Sequence, residues 1–296
     1  MKGRAVGGAG SQRDKVLFNN TVQEYNLTLI TERNGSEGTM NPIATFFTKK
    51  EILFKLVSKN LKGKYAGSSL GILWAFINPL LLALIVGFVF TKILKMNIEN
   101  FYLFIIAGLL PWTFLATSLQ EAAVSIPAHA SVLKQFSFPR EFIPLSCVLA
   151  NFILLLLGLL TVLPVFILIN AKIVLLLPCL VPVLLIHLMF AAGLSLVFSA
   201  TYVYFRDIGQ LLNTLLIFWL WLTPVFYSME MIPQGYRILF ACNPMTLYIG
   251  LYRAVLLGTG NGTLVSFLTA AVLALILFII GYKIFCGCEK DFLKRL

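Results

Sequence analysis

The titratable side chains that could carry out chemistry are few and widely spaced along this sequence. Between positions 100 and 288 the acidic residues are Glu121, Glu141, Asp207 and Glu230, and the two histidines of the chain are His129 and His187. General acid and base catalysis at a membrane face needs such groups close together, and a metal site needs several ligand types at short spacing. The pattern therefore argues against a membrane enzyme and against a resident metal.

Phosphate binding and cysteine chemistry are equally poorly supported. The nearest approach to a phosphate-binding loop is GTGNGT at 258–263, which lacks the lysine of that motif and precedes an apolar run, so it is interpreted as an outer turn. The five cysteines are odd in number and lie mostly within apolar runs, which favours a packing role. We expect no cofactor in this chain.

A cluster of lysines precedes the first long apolar run. At about 100° per residue, Lys55, Lys59 and Lys62 fall on one side of a helix, and Ile52, Leu56 and their apolar neighbours fall on the other. Such a helix either anchors the chain on anionic lipid or forms a substrate gate at the mouth of a translocation path, with Lys64 and Tyr65 completing the gate. Periodicity alone does not choose between the two.

These side chains must be positioned by elements that lie in a membrane. Hydrophobic residues make up 59% of the chain, charged residues 12%, and the mean hydropathy is +0.91; soluble domains are about a quarter charged. The net charge of +11 does not indicate a nucleic-acid partner, because 11 of the 23 Lys and Arg precede Gly71 and four more follow Tyr282. Basic flanks of this kind mark the cytoplasmic side of a membrane protein.

Six apolar runs are long enough, or nearly so, to cross a bilayer, which takes about 20 residues. They are roughly 71–94, 101–119, 144–169, 177–201, 209–227 and 264–285. An even count places both termini on one side, and the cytoplasmic assignment gives 18 Lys and Arg inside against 5 outside. The expected domains are a flexible cytoplasmic N-terminal extension at 1–41, an amphipathic interfacial helix at 42–64 and a transmembrane domain at 65–296.

The stretch from 223 to 258 is apolar yet interrupted, since Pro224, Pro233 and Pro244 recur within it. Proline disfavours a helical conformation in the residue before it, so a reversal of the chain is expected at Asn243 and Pro244. Arg253 would be costly facing lipid and should point to water, headgroups or a partner. We expect it to be carried toward the outer headgroups.

Six Trp and Tyr residues are candidates for contact with a sugar, because sugars present flat C–H faces that can stack on aromatic rings. They are Trp112, Trp219, Trp221, Tyr227, Tyr236 and Tyr248. They are interpreted either as residues of a channel or its exit, or as Trp and Tyr placed at the two membrane interfaces.

Two inner connections, 120–144 and 204–210, could dock a partner that supplies energy. Ion-coupled transport would leave several ionisable groups inside the spans, whereas here only His187 lies well inside one; hydrogen bonding to a neighbouring helix explains a single histidine. Energy for pumping must then come from elsewhere. The candidate coupling residues are Ser131, Lys134, Phe136, Arg140, Arg206 and Asp207.

An ordered set of motifs over about residues 42–296 resembles the ABC-2 type permeases, and most closely the exporters of O-antigen, capsule and teichoic acid. The motifs are LKGKYAGSSLGILWAFINP, FSFPREFIP, YFRDIGQ, TPVFYSMEMIP and ACNPMTLYIGLYRAVLLG. The family often has an arginine before the tyrosine of the first motif. Lys64 stands there instead, and offers a point charge without a bidentate fork.

The resemblance implies an all-α polytopic membrane protein with six transmembrane helices, an N-terminal amphipathic interfacial helix and two short re-entrant helices between the fifth and sixth spans. It implies a homodimer in the cytoplasmic membrane of a bacterium, bound to two ATPase subunits that hold ATP and magnesium. The expected function is export of a lipid-linked polysaccharide, without enzymatic activity in this chain. The alternatives are an exporter of drugs or other small amphiphiles, and a membrane channel or scaffold without an ATPase.

Overall fold

The computed structural model describes residues 42–64, 68, 71–95, 100–135, 138–258 and 262–295. Within these residues the chain forms helices, turns and bends and has no strand. The α-helices are α1 (Pro42–Lys64), α2 (Trp74–Phe88), α3 (Phe101–Ala128), α4 (Ala130–Gln135), α5 (Phe142–Ile169), α6 (Leu177–Tyr204), α7 (Ile208–Trp221), α8 (Arg237–Ala241), α9 (Pro244–Leu257) and α10 (Leu264–Arg295). The predicted extension at 1–41, Tyr65 and Phe136 lie outside the described residues.

Four of these helices are long and apolar enough to cross a membrane: α3, α5, α6 and α10. A fifth crossing is possible by length if Gln234–Ala241 and Pro244–Leu257 are counted as one broken span. Two more apolar helices are shorter, at Ile77–Ile93, which includes a π-helical turn at Val89–Ile93, and at Ile208–Trp221. The chain is therefore a multi-pass membrane protein, and these lengths alone do not confirm six spans.

The helix that forms the second predicted span, α3, is longer than the apolar run of the sequence. The run was expected to end near 119, but α3 continues through Pro127 to Ala128 and breaks at His129. Ala122, Ala123 and Ile126 in this extension are fully buried. Because these side chains still find apolar partners, helical backbone remains favourable past the polar Gln120 and Glu121. The connection after α3 is thus shorter than predicted, and α4 begins only at Ala130.

The closest helix pair of the bundle is α6 with α10. A Cβ built on Gly193 of α6 would lie 2.7 Å from the backbone of Leu277, and one built on Gly281 of α10 would overlap the backbone of Gly193. Small residues at such a crossing let two backbones approach and gain dispersion contacts that lipid does not replace. This crossing fixes the position of α6 relative to α10.

The helix α3 lies at the centre of the bundle, against α2, α5, α6, α7 and α9. At one end of the bundle the core continues into a second cluster, where Ile52 and Leu56 of α1 pack with Ile126, Ile143 and Phe285. The apolar face predicted for α1 therefore covers this end, and α1 packs against α5.

The interrupted stretch forms two helices that meet at 90°. Asn243 has extended backbone and is the N-cap of α9, where its side chain accepts a hydrogen bond from the Met245 amide, and Pro244 occupies the first turn. Proline is favoured at that position because its missing N–H would have no partner. The break predicted at Asn243 and Pro244 is therefore present as a 90° bend, while a full reversal of the chain there stays a prediction.

Candidate functional site

A polar network joins α1, α3 and α5 inside the bundle. The Nζ of Lys64 lies 2.8 Å from Glu121 Oε1 and also donates to Asn151 Oδ1. The amide of Asn151 donates to Glu121 Oε2 at 2.9 Å and to the Cys147 carbonyl at 3.0 Å, and Thr117 Oγ1 donates to Asn151 Oδ1 at 3.1 Å. All the hydrogen-bonding positions of the Asn151 side chain are then occupied. Because Asn151 binds both Lys64 and Glu121, it holds their ion pair in place.

The network lies below the ends of the helices. Glu121 is seven residues from the end of α3 and Asn151 nine from the start of α5, which at 1.5 Å per residue is roughly 10 to 13 Å into the bundle. The Lys64 side chain is 17% exposed and that of Glu121 37%. A lysine this deep is retained because a carboxylate and an amide bind it.

A cavity of about 250 Å³ adjoins this network. Four helices form its wall, and each of α2, α3 and α5 contributes residues from one of its faces. The lining residues are Leu110, Thr113, Phe114, Thr117 and Glu121 on α3, Asn151, Leu154 and Leu155 on α5, Trp74, Asn78 and Pro79 on α2, and Lys64 at the end of α1. The spacing of three or four residues places each set on one side of its helix. The cavity is polar where α1 ends and apolar farther along α3, so it suits a ligand with both kinds of surface.

The predicted lysine cluster of α1 is not one site. Lys55 pairs with Glu51 at 3.0 Å on the helix surface, Lys62 is exposed, and only Lys64 reaches the cavity. Lys59 lies near His129 in the turn after α3, where burial and then the charge of Lys59 lower the pKa of the imidazole, against a hydrogen bond to the Ser125 carbonyl. The gate and anchor interpretations of the exposed lysines both stay predictions.

A second polar centre forms around Arg253 of α9. Its guanidinium donates to the carbonyls of Pro224 at 2.6 Å and Val225 at 2.7 Å, and more weakly to that of Phe104, whose ring centroid lies 3.4 Å away. Arg253 is 8% exposed. The expectation that it reaches outer headgroups is therefore wrong, because backbone carbonyls of the turn after α7 and the Phe104 carbonyl of α3 bind it inside the protein.

The residues of the predicted turn form a hub with the end of α7. Asn243 Oδ1 accepts from Trp219 Nε1 at 2.8 Å, and its amide donates to the Leu222 carbonyl and Thr223 Oγ1, both at 2.9 Å. Trp219 in turn packs edge-on against Trp112 at 5.8 Å. Trp112 and Asn243 are thus connected through Trp219. They are more than a hundred positions apart, so this association could not be predicted from the sequence.

The other candidate aromatics are dispersed. Tyr248 is fully buried, stacks on His187 at 4.9 Å and donates to the Ala270 carbonyl at 3.0 Å, so within one chain it belongs to the core. Tyr227 donates to the Trp221 carbonyl, while Trp221 and Tyr236 are 56% and 65% exposed. His187 itself bonds Tyr252 of α9 at 3.2 Å, as expected for a histidine between helices.

The candidate coupling residues share one end of the bundle. Ser131 and Lys134 on α4 are exposed, and so are Arg206 and Asp207 in the turn between α6 and α7. Arg140 pairs with Glu289 of α10 at 3.7 Å and donates to its carbonyl. Arg140 therefore ties the connection to the last helix, and four of the described candidates remain open to a partner.

Sequence reasoning missed most of the cavity. Glu121 was interpreted as one of several scattered acids of the connections, and the structure corrects this by placing it in α3 against Lys64. Thr117 and Asn151 were not singled out. The available signal was Asn151, an amide within the apolar 28-residue helix α5, because such a group needs partners inside a membrane.

Comparison with known proteins gives a consistent result. The model of the ABC-2 type transporter family matches residues 52–257. The chain is 31% identical over 253 residues to an O-antigen export system permease protein RfbA of Klebsiella pneumoniae, covering 83% of this chain and 95% of that protein. It is also 32% identical over 222 residues to the protein of that name from Myxococcus xanthus, covering 72% and 83%. The family match begins within α1, ends with α9 and includes the residues of both polar centres.

Proposed function

This chain belongs to the ABC-2 type transporter family, and from that membership we propose that it is the membrane permease subunit of an exporter that moves a lipid-linked polysaccharide across the cytoplasmic membrane. The observation that carries the proposal is the similarity to O-antigen export permeases along most of both chains. The family match runs from within α1 to the end of α9.

ATP hydrolysis is assigned to a separate subunit. The phosphate-binding loop motif does not occur in this sequence, and its one glycine-rich run lacks a lysine. We therefore propose that ATP and magnesium bind the partner, that this chain has no enzymatic activity, and that two copies of each subunit form the exporter. The exposed α4 and the turn at Arg206 and Asp207 are the proposed docking surface for the ATPase.

We propose six spans, with α2 and α7 completing the four long helices. Ile77–Ile93 and Ile208–Trp221 are shorter than the about 20 residues of an average span, and local thinning or the flanking turns can accommodate the difference. An even count agrees with the concentration of Lys and Arg near both ends of the chain. Both termini are then cytoplasmic, and α1 lies at the inner interface with its exposed lysines toward lipid headgroups.

The broken pair is proposed to be re-entrant from the outer side. The first arm, Gln234–Ala241, has eight residues and rises roughly 12 Å, less than half of a hydrocarbon core of about 30 Å. Irregular backbone at such a depth is tolerated where protein or water surrounds it, and Asn243 and Arg253 supply those partners here.

Deletion of the gene tests the proposal. We expect loss of the surface polysaccharide and accumulation of its lipid-linked form inside the cell, both restored by the wild-type gene. In proteoliposomes that contain this chain and its ATPase, extracted lipid-linked glycan should stimulate ATP hydrolysis. An unchanged surface glycan together with new sensitivity to amphiphilic drugs would instead support the drug-exporter alternative.

A further inference from the structure

We propose that the cavity beside Lys64 binds a single uncharged sugar unit of the exported glycan, a binding site separate from any contact with the lipid anchor or its phosphates. The inference rests on the proposed function for the origin of the sugar. Its physical basis is the charge, the hydrogen-bonding capacity, the aromatic wall and the size of the cavity.

The charge of the cavity disfavours an anionic ligand. Among the described residues of its wall only Lys64 and Glu121 are charged, and they neutralise each other at 2.8 Å. A phosphate bound to Lys64 would lie beside the Glu121 carboxylate. Two negative charges that close together repel strongly in a partly buried site. A ligand without net charge meets no such repulsion.

The hydrogen-bonding groups left over suit hydroxyl groups. Asn151 is saturated by four partners, whereas the amide of Asn78 is exposed and forms no hydrogen bond with other described residues. The Glu121 carboxylate keeps acceptor capacity beyond its two contacts. A sugar hydroxyl both donates and accepts, so it can bind a carboxylate and an amide at the same time.

An aromatic face completes the site. Trp74 stands one turn before Asn78 on α2, lines the cavity and is 39% exposed. Side chains at this spacing share one side of the helix, so the indole and the amide are presented together. The C–H face of a sugar ring is apolar and its rim is polar, which matches an indole wall beside a polar end.

The size of the cavity limits the ligand to one ring. A volume of about 250 Å³ is below the roughly 300 to 1,000 Å³ of sites that enclose drug-sized molecules. A polysaccharide cannot enter it as a chain. The cavity would therefore bind one terminal or branching unit, near the end of the bundle where α1 packs.

Saturation-transfer NMR on the complex of this chain with its ATPase, in lipid nanodiscs, tests the proposal. The probes are N-acetylglucosamine, D-mannose, D-galactose, L-rhamnose, methyl phosphate and phosphoethanolamine, all of which carry carbon-bound protons that the method detects. We expect transfer to at least one neutral sugar and none to methyl phosphate. Trp74→Leu and Asn78→Leu should each weaken that sugar about tenfold, the equivalent of one good stacking or hydrogen-bonding contact.

Phe88→Leu is the matched control, because Phe88 lies on the same helix, is exposed and is outside the cavity; sugar binding should not change. If Trp74→Leu fails to fold, Trp74→Phe keeps an aromatic face and should bind the sugar with intermediate affinity. Transfer to methyl phosphate or phosphoethanolamine in place of sugars overturns the proposal.

The same complex separates this inference from the proposed function. Lipid-linked glycan that stimulates ATP hydrolysis while none of the neutral sugars binds would disprove the sugar site and leave the export function intact. Sugar binding that Phe88→Leu weakens as much as Trp74→Leu would also disprove it. Absence of glycan stimulation in the wild-type complex would count against the export function itself.

Discussion

Lys64 and Arg253 are two cations held inside the protein by different means. A carboxylate and an amide bind Lys64, whereas backbone carbonyls and the Phe104 ring bind Arg253. A lysine offers three donors from one nitrogen, and an arginine offers five in a rigid planar fork. Arg253 can therefore connect carbonyls from two separate segments, while the donors of Lys64 share one nitrogen and bind two acceptors that lie close together.

The Lys64 and Glu121 pair should behave as a coupled unit. Removing one partner of a fully buried pair costs about 3 to 5 kcal/mol, and since Glu121 is more than a third exposed we expect about 1 to 2 kcal/mol for Lys64→Met. The double variant Lys64→Met, Glu121→Leu should be less destabilised than the sum of the single changes. Thermal unfolding in detergent measures this, at about 2 to 4 °C per kcal/mol.

The exposed pair of Glu51 and Lys55 on α1 is the control for that cycle. Pairs of this type contribute only about 0.3 to 0.5 kcal/mol, so Lys55→Met should hardly change the unfolding temperature. Strictly additive effects at Lys64 and Glu121 would contradict the coupling.

Arg253→Lys keeps the positive charge but should lose the connection between Pro224, Val225 and Phe104. Carbonyls left without donors cost about 1 to 3 kcal/mol, so we expect an unfolding temperature lower by several degrees. Arg237→Lys is the matched control, because Arg237 also donates to two carbonyls but in a partly exposed setting. Equal loss in both variants would contradict a special role for Arg253.

Pairs of helices depend on backbone contact as much as on side chains, most clearly where α6 crosses α10. Gly281→Ala should destabilise the protein by about 1 to 3 kcal/mol, because the added Cβ meets the backbone of Gly193, which cannot move as a flexible side chain does. Gly287→Ala on the same helix is the control, since a Cβ there meets nothing within 4 Å and should stabilise by about 0.5 to 1 kcal/mol. Detergent unfolding of the two variants should therefore shift in opposite directions.

The short helix α4 should contact the ATPase. Its Ser131 and Lys134 are exposed at the end of the bundle where α10 finishes, and a short helix between two turns can transmit displacement as one unit. Cysteines at these positions should form crosslinks with the partner subunit, with an exposed outer position such as Met231 as the negative control. Crosslinks from Arg206 and Asp207 alone would move the docking surface to the turn between α6 and α7.

Across the whole molecule, α3 links the two polar centres. Phe104 near its start contacts Arg253, and Glu121 near its end binds Lys64, a separation of 17 residues or roughly 25 Å. That distance nearly equals the hydrocarbon thickness of about 30 Å. The cavity and the broken helix pair thus lie near opposite ends of one continuous helix.

Labelling of single cysteines with a membrane-impermeant reagent tests this arrangement. In a background without the other native cysteines, Glu230→Cys and Leu264→Cys should react from the outer side, and Arg206→Cys only from the cytoplasmic side. Native Cys242 at the turn of the broken pair should not react from the cytoplasmic side, because its arm is too short to cross. Cytoplasmic labelling of Cys242 would make α8 and α9 a crossing and would change the number of spans.

The helical membrane class, the long apolar helices, the broken stretch near Asn243 and the family could all be predicted from the sequence, since these follow from local composition, proline chemistry and ordered motifs. Which polar groups meet could be seen only in the folded chain. Lys64, Glu121 and Asn151 come from three separate helices, and the extension of α3 past residue 119 depends on burial of Ala122 and Ile126 against other elements. Arg253 was misplaced for the same reason: its acceptors are backbone carbonyls of the turn after α7 and of α3, and a carbonyl is present at every residue, so no residue type in the sequence marks it.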